Sequence, residues 1–212
     1  GNVIYCDPFP APIGSLCLVK DQLGKQVLAE VIRFDQNHNM LAILEPSSHI
    51  VAGCEVFLHD DGRYIDVDET LLGRVTDAFG KPHDEKPLDK INNKWPLMGK
   101  VMNPLKRSLI KKPLDVGVRV INALLTVGPG QRLGIIAGSG VGKSVLLGMM
   151  SKYTEADVVV IALIGERARE VKTMVETLKK YDEKNKIIII AVPADRSPLL
   201  RMKGANRCTA IA

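Results

Sequence analysis

The chain has 212 residues, 46% of them hydrophobic, 25% charged and only 4% aromatic, with a formal net charge of +5. This is the composition of an ordinary globular chain with one large or two small domains; its longest apolar runs, 158–164 and 187–192, fall well short of the roughly 20 residues a membrane helix needs, and no secretory signal opens the sequence. The modest basic excess is interspersed with acids, as in 179–184, and there are few aromatics to stack on bases, so the charge gives no reason to expect DNA or RNA as a partner.

From residue 3 to 67 short β-like runs follow one another: 15–19, 26–34, 40–44, 54–58 and 63–67. The turn residues between them, at 35–39, 45–48 and 59–62, are the Asn, Asp, Pro and Gly that reverse a chain, so residues 1–68 are expected to form a small antiparallel β-barrel domain. Cys6, Cys17, Cys54 and Cys208 are widely spaced with no CxxC pair, which predicts buried free thiols in a reducing cytosol. His38, His49, His59 and His83 also lack the spacing of metal ligands.

Between 69 and 113 the chain becomes rich in Pro, Gly and Lys and reads as a connection draped over the next domain. After Asp115 the pattern changes to alternating strand and helix, and residues 69–212 are expected to form an α/β P-loop nucleotide-binding core on a parallel sheet. Its predicted elements are an apolar strand running into the loop at 133–136, a helix continuing through 145–150, a strand at 157–164 and a helix over about 167–181. Val171, Met174, Val175 and Leu178 fall on one face of that last helix. A buried strand at 187–192 follows, then a helix capped by Ser197 with Pro198 in its first turn. The last helix has no stop signal, the chain does not begin with Met, and three strands are few for a parallel sheet. The core is therefore expected to be truncated, a fragment of a longer protein.

The chemistry is concentrated in Ala137-Gly138-Ser139-Gly140-Val141-Gly142-Lys143-Ser144-Val145. Glycines let successive backbone N–H groups point into one concavity, Lys143 offers a point charge to the outer phosphates, and the Ser144 hydroxyl is placed for Mg²⁺. The helix that follows directs its positive N-terminal end at the same anion. Ala137 stands where the strict pattern has Gly, and a small side chain there still allows the turn. A second group, Gly165-Glu166-Arg167-Ala168-Arg169-Glu170-Val171, lies at the carboxyl end of a strand, the edge where open α/β sheets bind ligands. Glu166 there is a candidate to polarise the water that attacks a terminal phosphate, and Arg167 to hold the phosphate or orient the carboxylate. The same residues also suit a plain structural role, an acid in the first turn of a helix with arginines paired to their neighbours.

These two motifs, together with Leu72-Gly73-Arg74-Val75-Thr76-Asp77-Ala78-Phe79-Gly80-Lys81-Pro82, resemble the type III secretion ATPases, which are in turn similar to the catalytic subunits of rotary ATP synthases. The resemblance covers nearly the whole chain. The runs 116–128, 144–150 and 194–202 resemble the flagellar export branch more than the virulence injectisome branch. Ala168 departs from the pattern, which usually has Gly after Glu-Arg.

The resemblance implies an ATPase using ATP and Mg²⁺. It would be homohexameric when full length, cytoplasmic and peripheral to the inner-membrane export gate, and it would engage export chaperones and substrates and the stalk and regulator proteins of the apparatus. By matching positions, Gly138 to Gly142 cradle the phosphates, Lys143 and Ser144 bind phosphate and metal, Val145 lines the nucleotide, Glu166 is the catalytic carboxylate, and Arg167 assists. The second acidic strand, the arginine given to a neighbouring site and the adenine-contacting aromatic would fall beyond Ala212, so this chain alone should hydrolyse ATP weakly or not at all. Two readings compete. A non-catalytic nucleotide-binding subunit of a rotary ATPase would be expected to lack Glu166. A hexameric RNA translocase would need basic and stacking residues that Tyr5, Phe34, Phe57 and Tyr64 do not supply.

Overall fold

Alternating apolar residues in the first third of the chain give five strands: β1 (Val3–Cys6), β2 (Leu16–Lys20), β3 (Gln26–Phe34), β4 (Asn39–Ile43) and β5 (Glu55–Asp60). The computed structural model describes residues 2–45, 49–89, 91–138, 140–182 and 186–212. Expectations for Ser139, for the turn at 46–48 and for 183–185 therefore lie outside the described residues. The five strands pair antiparallel in the order β1-β4-β3-β2-β5. The two end strands are not paired with each other among the described residues, so the expected barrel is here an open antiparallel sheet. Cys17, Val19, Val27, Ala29, Val31, Leu41 and Ile43 point from one face into its core. The opposite face carries Leu16, Leu28 and Leu44, which join a second core shared with the C-terminal half.

The connection contributes more structure than its composition suggests. Its segment Lys94–Pro96 (β8) pairs antiparallel with β6 (Tyr64–Asp66), and Val75–Thr76 (β7) lies parallel to β10 (Ile187–Val192). Strand β9 (Val159–Ile164) takes the other edge of β10, giving a three-stranded parallel sheet in the order β7-β10-β9. Two helices cover it, α3 (Ala168–Tyr181) and α4 (Pro198–Ile211). Ile187, Ile189 and Ala191 pack with Val171, Met174, Val175 and Leu178 of α3, whereas Ile188, Ile190 and Val192 face Leu199, Leu200 and Cys208 of α4. All six residues of β10 are buried, as a parallel strand covered on both faces requires. The Ser197 Oγ accepts the Leu200 N–H at 3.3 Å and Pro198 starts the helix, as the sequence predicts.

The expected strand at 133–136 does not form. Residues 131–138 have no regular structure, and Ile136 is 99% and Leu133 47% exposed. A parallel strand is held by partners on its edges and cover on both faces; among the described residues this run pairs with neither edge strand of the sheet, β7 or β9, and its exposed side chains have no such cover. The helix after the loop, α2 (Lys143–Tyr153), is also less buried than expected. Only Leu146 and Met150, one turn apart, enter a small core with Leu114, Val116, Val118, Ile121 and Val127, built around the short helix α1 (Arg119–Leu124). The four cysteines are free, with Cys17 buried and the others half-buried.

Candidate nucleotide site

Gly140 and Gly142 have φ of 77° and 91°, a left-handed backbone that side-chain-bearing residues rarely adopt. No atom lies within 4 Å of where their Cβ atoms would sit, so these two positions need glycine for the turn and not for room. The turn hands the chain to α2, whose first intrahelical bond runs from the Leu146 N–H to the Gly142 carbonyl at 2.9 Å. The N–H groups of Lys143, Ser144 and Val145 thus stand at a helix start without intrahelical acceptors, at its positive end.

Across from this loop, β9 ends in Gly165, whose φ of 76° turns the chain out of the sheet. The Gly165 N–H donates to the Val192 carbonyl at 2.8 Å, and the Glu166 carbonyl accepts the Ala194 N–H at 2.9 Å, so the turn that carries Glu166 is fixed to the end of β10. Ala168 is the first residue of α3, three positions beyond this strained glycine, so its methyl group does not sit at the left-handed position.

The two halves face one cleft of about 810 Å³. Gly138, Gly140, Gly142, Lys143, Ser144 and Val145 line one side; Leu163, Glu166, Arg169, Glu170, Val171, Thr173, Met174 and Thr177 line the other. The size is that of a small-molecule site, for which about 300–1,000 Å³ is usual. The cleft holds a lysine, an arginine and helix-start amides for anions, and hydroxyl and carboxylate oxygens of the kind Mg²⁺ takes as ligands.

Ala137, Val141 and Arg167 do not line this cleft. The Arg167 guanidinium instead lies 3.6 Å from Glu170 Oε1, one helical turn on, with both side chains largely in solvent. Sequence reasoning missed Arg169, Thr173 and Thr177. These recur every four residues and so share one face of α3; that polar stripe beside the apolar one was a legible signal. Among the described residues no group of three His, Cys, Asp or Glu is placed to hold a metal, and no helix is long and apolar enough to cross a membrane.

The sequence model of the ATP synthase alpha/beta family, nucleotide-binding domain, matches residues 117–212, the part that contains both walls of the cleft. That stretch is similar to this family's domain. The flagellum-specific ATP synthase of Salmonella typhimurium is 46% identical over 222 residues, which cover 100% of this chain and 49% of that protein. That of Bacillus subtilis is 45% identical over 203 residues, 94% of this chain and 46% of its own length. Among solved structures, the assembled ATPase EscN of the enteropathogenic Escherichia coli type III secretion system matches with a TM-score of 0.86 at 38% identity, over 100% of this chain and 51% of EscN. EscN in complex with its central stalk EscO matches with a TM-score of 0.89. The chain spans about half the length of these relatives. The resemblance to flagellar and type III secretion ATPases read from its motifs is borne out.

Proposed function

We propose that this chain carries the nucleotide site of an export ATPase of the flagellar type III apparatus. The observation that carries the reading is the single cleft that unites Lys143 and Ser144 with Glu166. In this reading the loop amides and Lys143 hold the phosphates of ATP, and Val145 borders the nucleotide. Glu166 orients a water and takes its proton as the water oxygen bonds to the γ-phosphorus; the bond to the bridging oxygen breaks and ADP leaves with the electron pair. Ser144 would hold Mg²⁺, which when bound neutralises charge on the phosphates. Arg169 lies within the cleft and Arg167 outside it, so any role of Arg167 would be exerted through Glu170.

The higher identity to the flagellar relative from Salmonella, 46% against 38% to EscN, favours the flagellar branch over the injectisome. The same kinship supports reading the whole protein as a homohexamer that meets a stalk, chaperones and export substrates at the cytoplasmic mouth of the gate. The presence of Glu166 in the cleft speaks against a non-catalytic regulatory subunit.

Mg²⁺-dependent ATP hydrolysis across a range of protein concentrations tests the reading. Lys143→Ala should abolish binding and turnover. Glu166→Gln should keep ATP binding while turnover falls about 100-fold or more. Turnover rising per molecule with concentration would support sites completed between subunits. Undiminished hydrolysis by Glu166→Gln would remove Glu166 from the mechanism.

A further inference from the structure

The residue just before β10 is a crossing point of the parallel half. The Lys186 carbonyl accepts the N–H of Val159, the first residue of β9, at 3.0 Å. The N–H groups of Lys186 and Ile187 donate to the Asp182 carboxylate at 2.8 and 3.0 Å, where α3 ends. The backbone of Lys186 is thus fixed to the sheet and to the helix that form the Glu166 wall of the cleft. Its side chain reaches to the other wall: the ammonium donates to the Thr154 and Ala156 carbonyls, both at 3.0 Å, where the chain leaves α2. Hydrogen bonds from a cation are roughly twice as strong as neutral ones, and positive charge is favoured at the carboxyl end of a helix. The small core holds the same exit from its own side. There the Asp115 carbonyl accepts the Glu155 N–H at 3.1 Å and the Thr154 hydroxyl at 3.2 Å, and Tyr153 leaves no room for a Cβ on Gly117.

We propose that Lys186 is a positioning residue for the nucleotide site: by tying the exit of α2 to the root of the Glu166 wall, it sets the tilt of α2 and so the place of Lys143 and Ser144 opposite Glu166. The proposal rests on the nucleotide reading given above. Helix α2 has 11 residues and is about 16 Å long, stiff enough for a restraint at its exit to be felt at its start. The loop at that start cannot supply the restraint, because Gly138, Gly140 and Gly142 have no neighbour within 4 Å of where a Cβ would be. Without the tie, α2 would follow its small core and hold Lys143 and Ser144 opposite Glu166 only part of the time. The affinity for ATP falls by that fraction. Lys186 touches no part of the cleft, so its effect on ATP is exerted through α2.

The test compares Lys186→Met, Lys186→Arg and Lys143→Ala with the unchanged protein at equal concentration. It measures Mg-ATP affinity at equilibrium, hydrogen exchange without nucleotide, and Tm. Lys186→Met keeps the length of the side chain and removes its charge and donors. It should weaken ATP binding about tenfold and speed exchange of the 144–153 amides about tenfold, the scale of one charge-assisted hydrogen bond, while 187–192 exchange as before. Lys186→Arg, which keeps charge and donors, should recover most of the affinity and of the protection in α2. Unchanged affinity and unchanged exchange in α2 for Lys186→Met, with binding lost in Lys143→Ala, overturn the role of Lys186 and leave the nucleotide reading standing. Equal acceleration in α2 and 187–192 with a lowered Tm and unchanged affinity would make Lys186 a general stability residue and also overturn it. ATP binding undiminished in Lys143→Ala overturns the nucleotide reading and this proposal together.

Discussion

Replacing Asp84 with Asn should remove a stabilisation that depends on pH in a defined window. Asp84 accepts from Arg74 Nε at 2.8 Å and Nη2 at 2.9 Å in a two-pronged pair, and Lys179 Nζ of α3 lies 4.0 Å away. The two side chains of the main pair are only 16% and 10% exposed, so solvent screens them weakly. The hydrogen bonds from Arg74 hold the Asp84 carboxyl at about 2, below its ordinary 3.8, against the opposing effect of burial. A folded-state value lowered by close to two units corresponds to about 2 kcal/mol of stability at neutral pH. The sign follows from the depression: the contribution is complete above the unfolded value of 3.8 and is lost as pH falls from there through about 2. Urea unfolding of the wild type and Asp84→Asn at pH 7 should therefore differ by about 2 kcal/mol, and the two curves should converge as the pH approaches 2. Arg74 would keep the carbonyls of Lys86 and Pro87 as acceptors in the variant, so the loss should not grow beyond this scale. A stability difference of the same size at pH 7 and near pH 2 would refute the reasoning, because packing rather than charge would then explain the effect.

Three further outcomes are expected. Lys203→Met should destabilise by about 3–5 kcal/mol by leaving Glu30 buried and unpaired, and adding Glu30→Gln should restore much of the loss in the same unfolding assay; the pair is 3.2 Å apart with both side chains nearly buried. Gly204→Val should cost about 1–3 kcal/mol by thermal or chemical unfolding, since its side chain would collide with Val192 and Ile164. Burial pushes the Cys17 and Cys208 thiols up to about 11, so at pH 8 both should be alkylated about a hundredfold more slowly than a free thiol and become reactive only on unfolding, as peptide mass mapping would record.

Much of this fold could be read directly because its signals are local. The runs 26–34 and 187–192 match β3 and β10 residue for residue, and Ser197-Pro198 marks the start of α4, because an alternating or continuous apolar run and a cap are decided within a few residues. What escaped was decided by partners far away in sequence. Val75–Thr76 is a two-residue strand recognisable only beside β10, and the apolar 133–136 run has a strand's composition but pairs with no strand of the sheet among the described residues. The same holds at the site. The glycine loop and Glu166 were legible as motifs, whereas the choice between Arg167 and Arg169 depended on which way α3 turns its first residues toward the cleft.

The two walls of the cleft are supported unequally, and this bears on how a nucleotide would be held. Glu166 and α3 are rooted on β10, whose six residues are all buried between two helices. The loop and α2 rest on four buried residues of a separate small core and on α3, while Val145, Leu147 and Met149 of α2 remain 67%, 39% and 41% exposed. An element with little buried apolar surface opens locally at lower free energy than the core beside it. In hydrogen exchange without nucleotide, the amides of 144–153 should therefore exchange well before those of 187–192. A ligand that bridges the walls should close the gap: at about 100 times its dissociation constant ATP adds about 2.7 kcal/mol, which slows exchange by about 100-fold wherever opening breaks the site. That protection should appear in α2 and at the Gly165 turn and leave β1 to β5 unchanged, because those strands line no part of the cleft. Uniform slowing across the chain would mean that the cleft opens only with global unfolding. No slowing in α2 at saturating ATP would mean that the loop does not hold the phosphates.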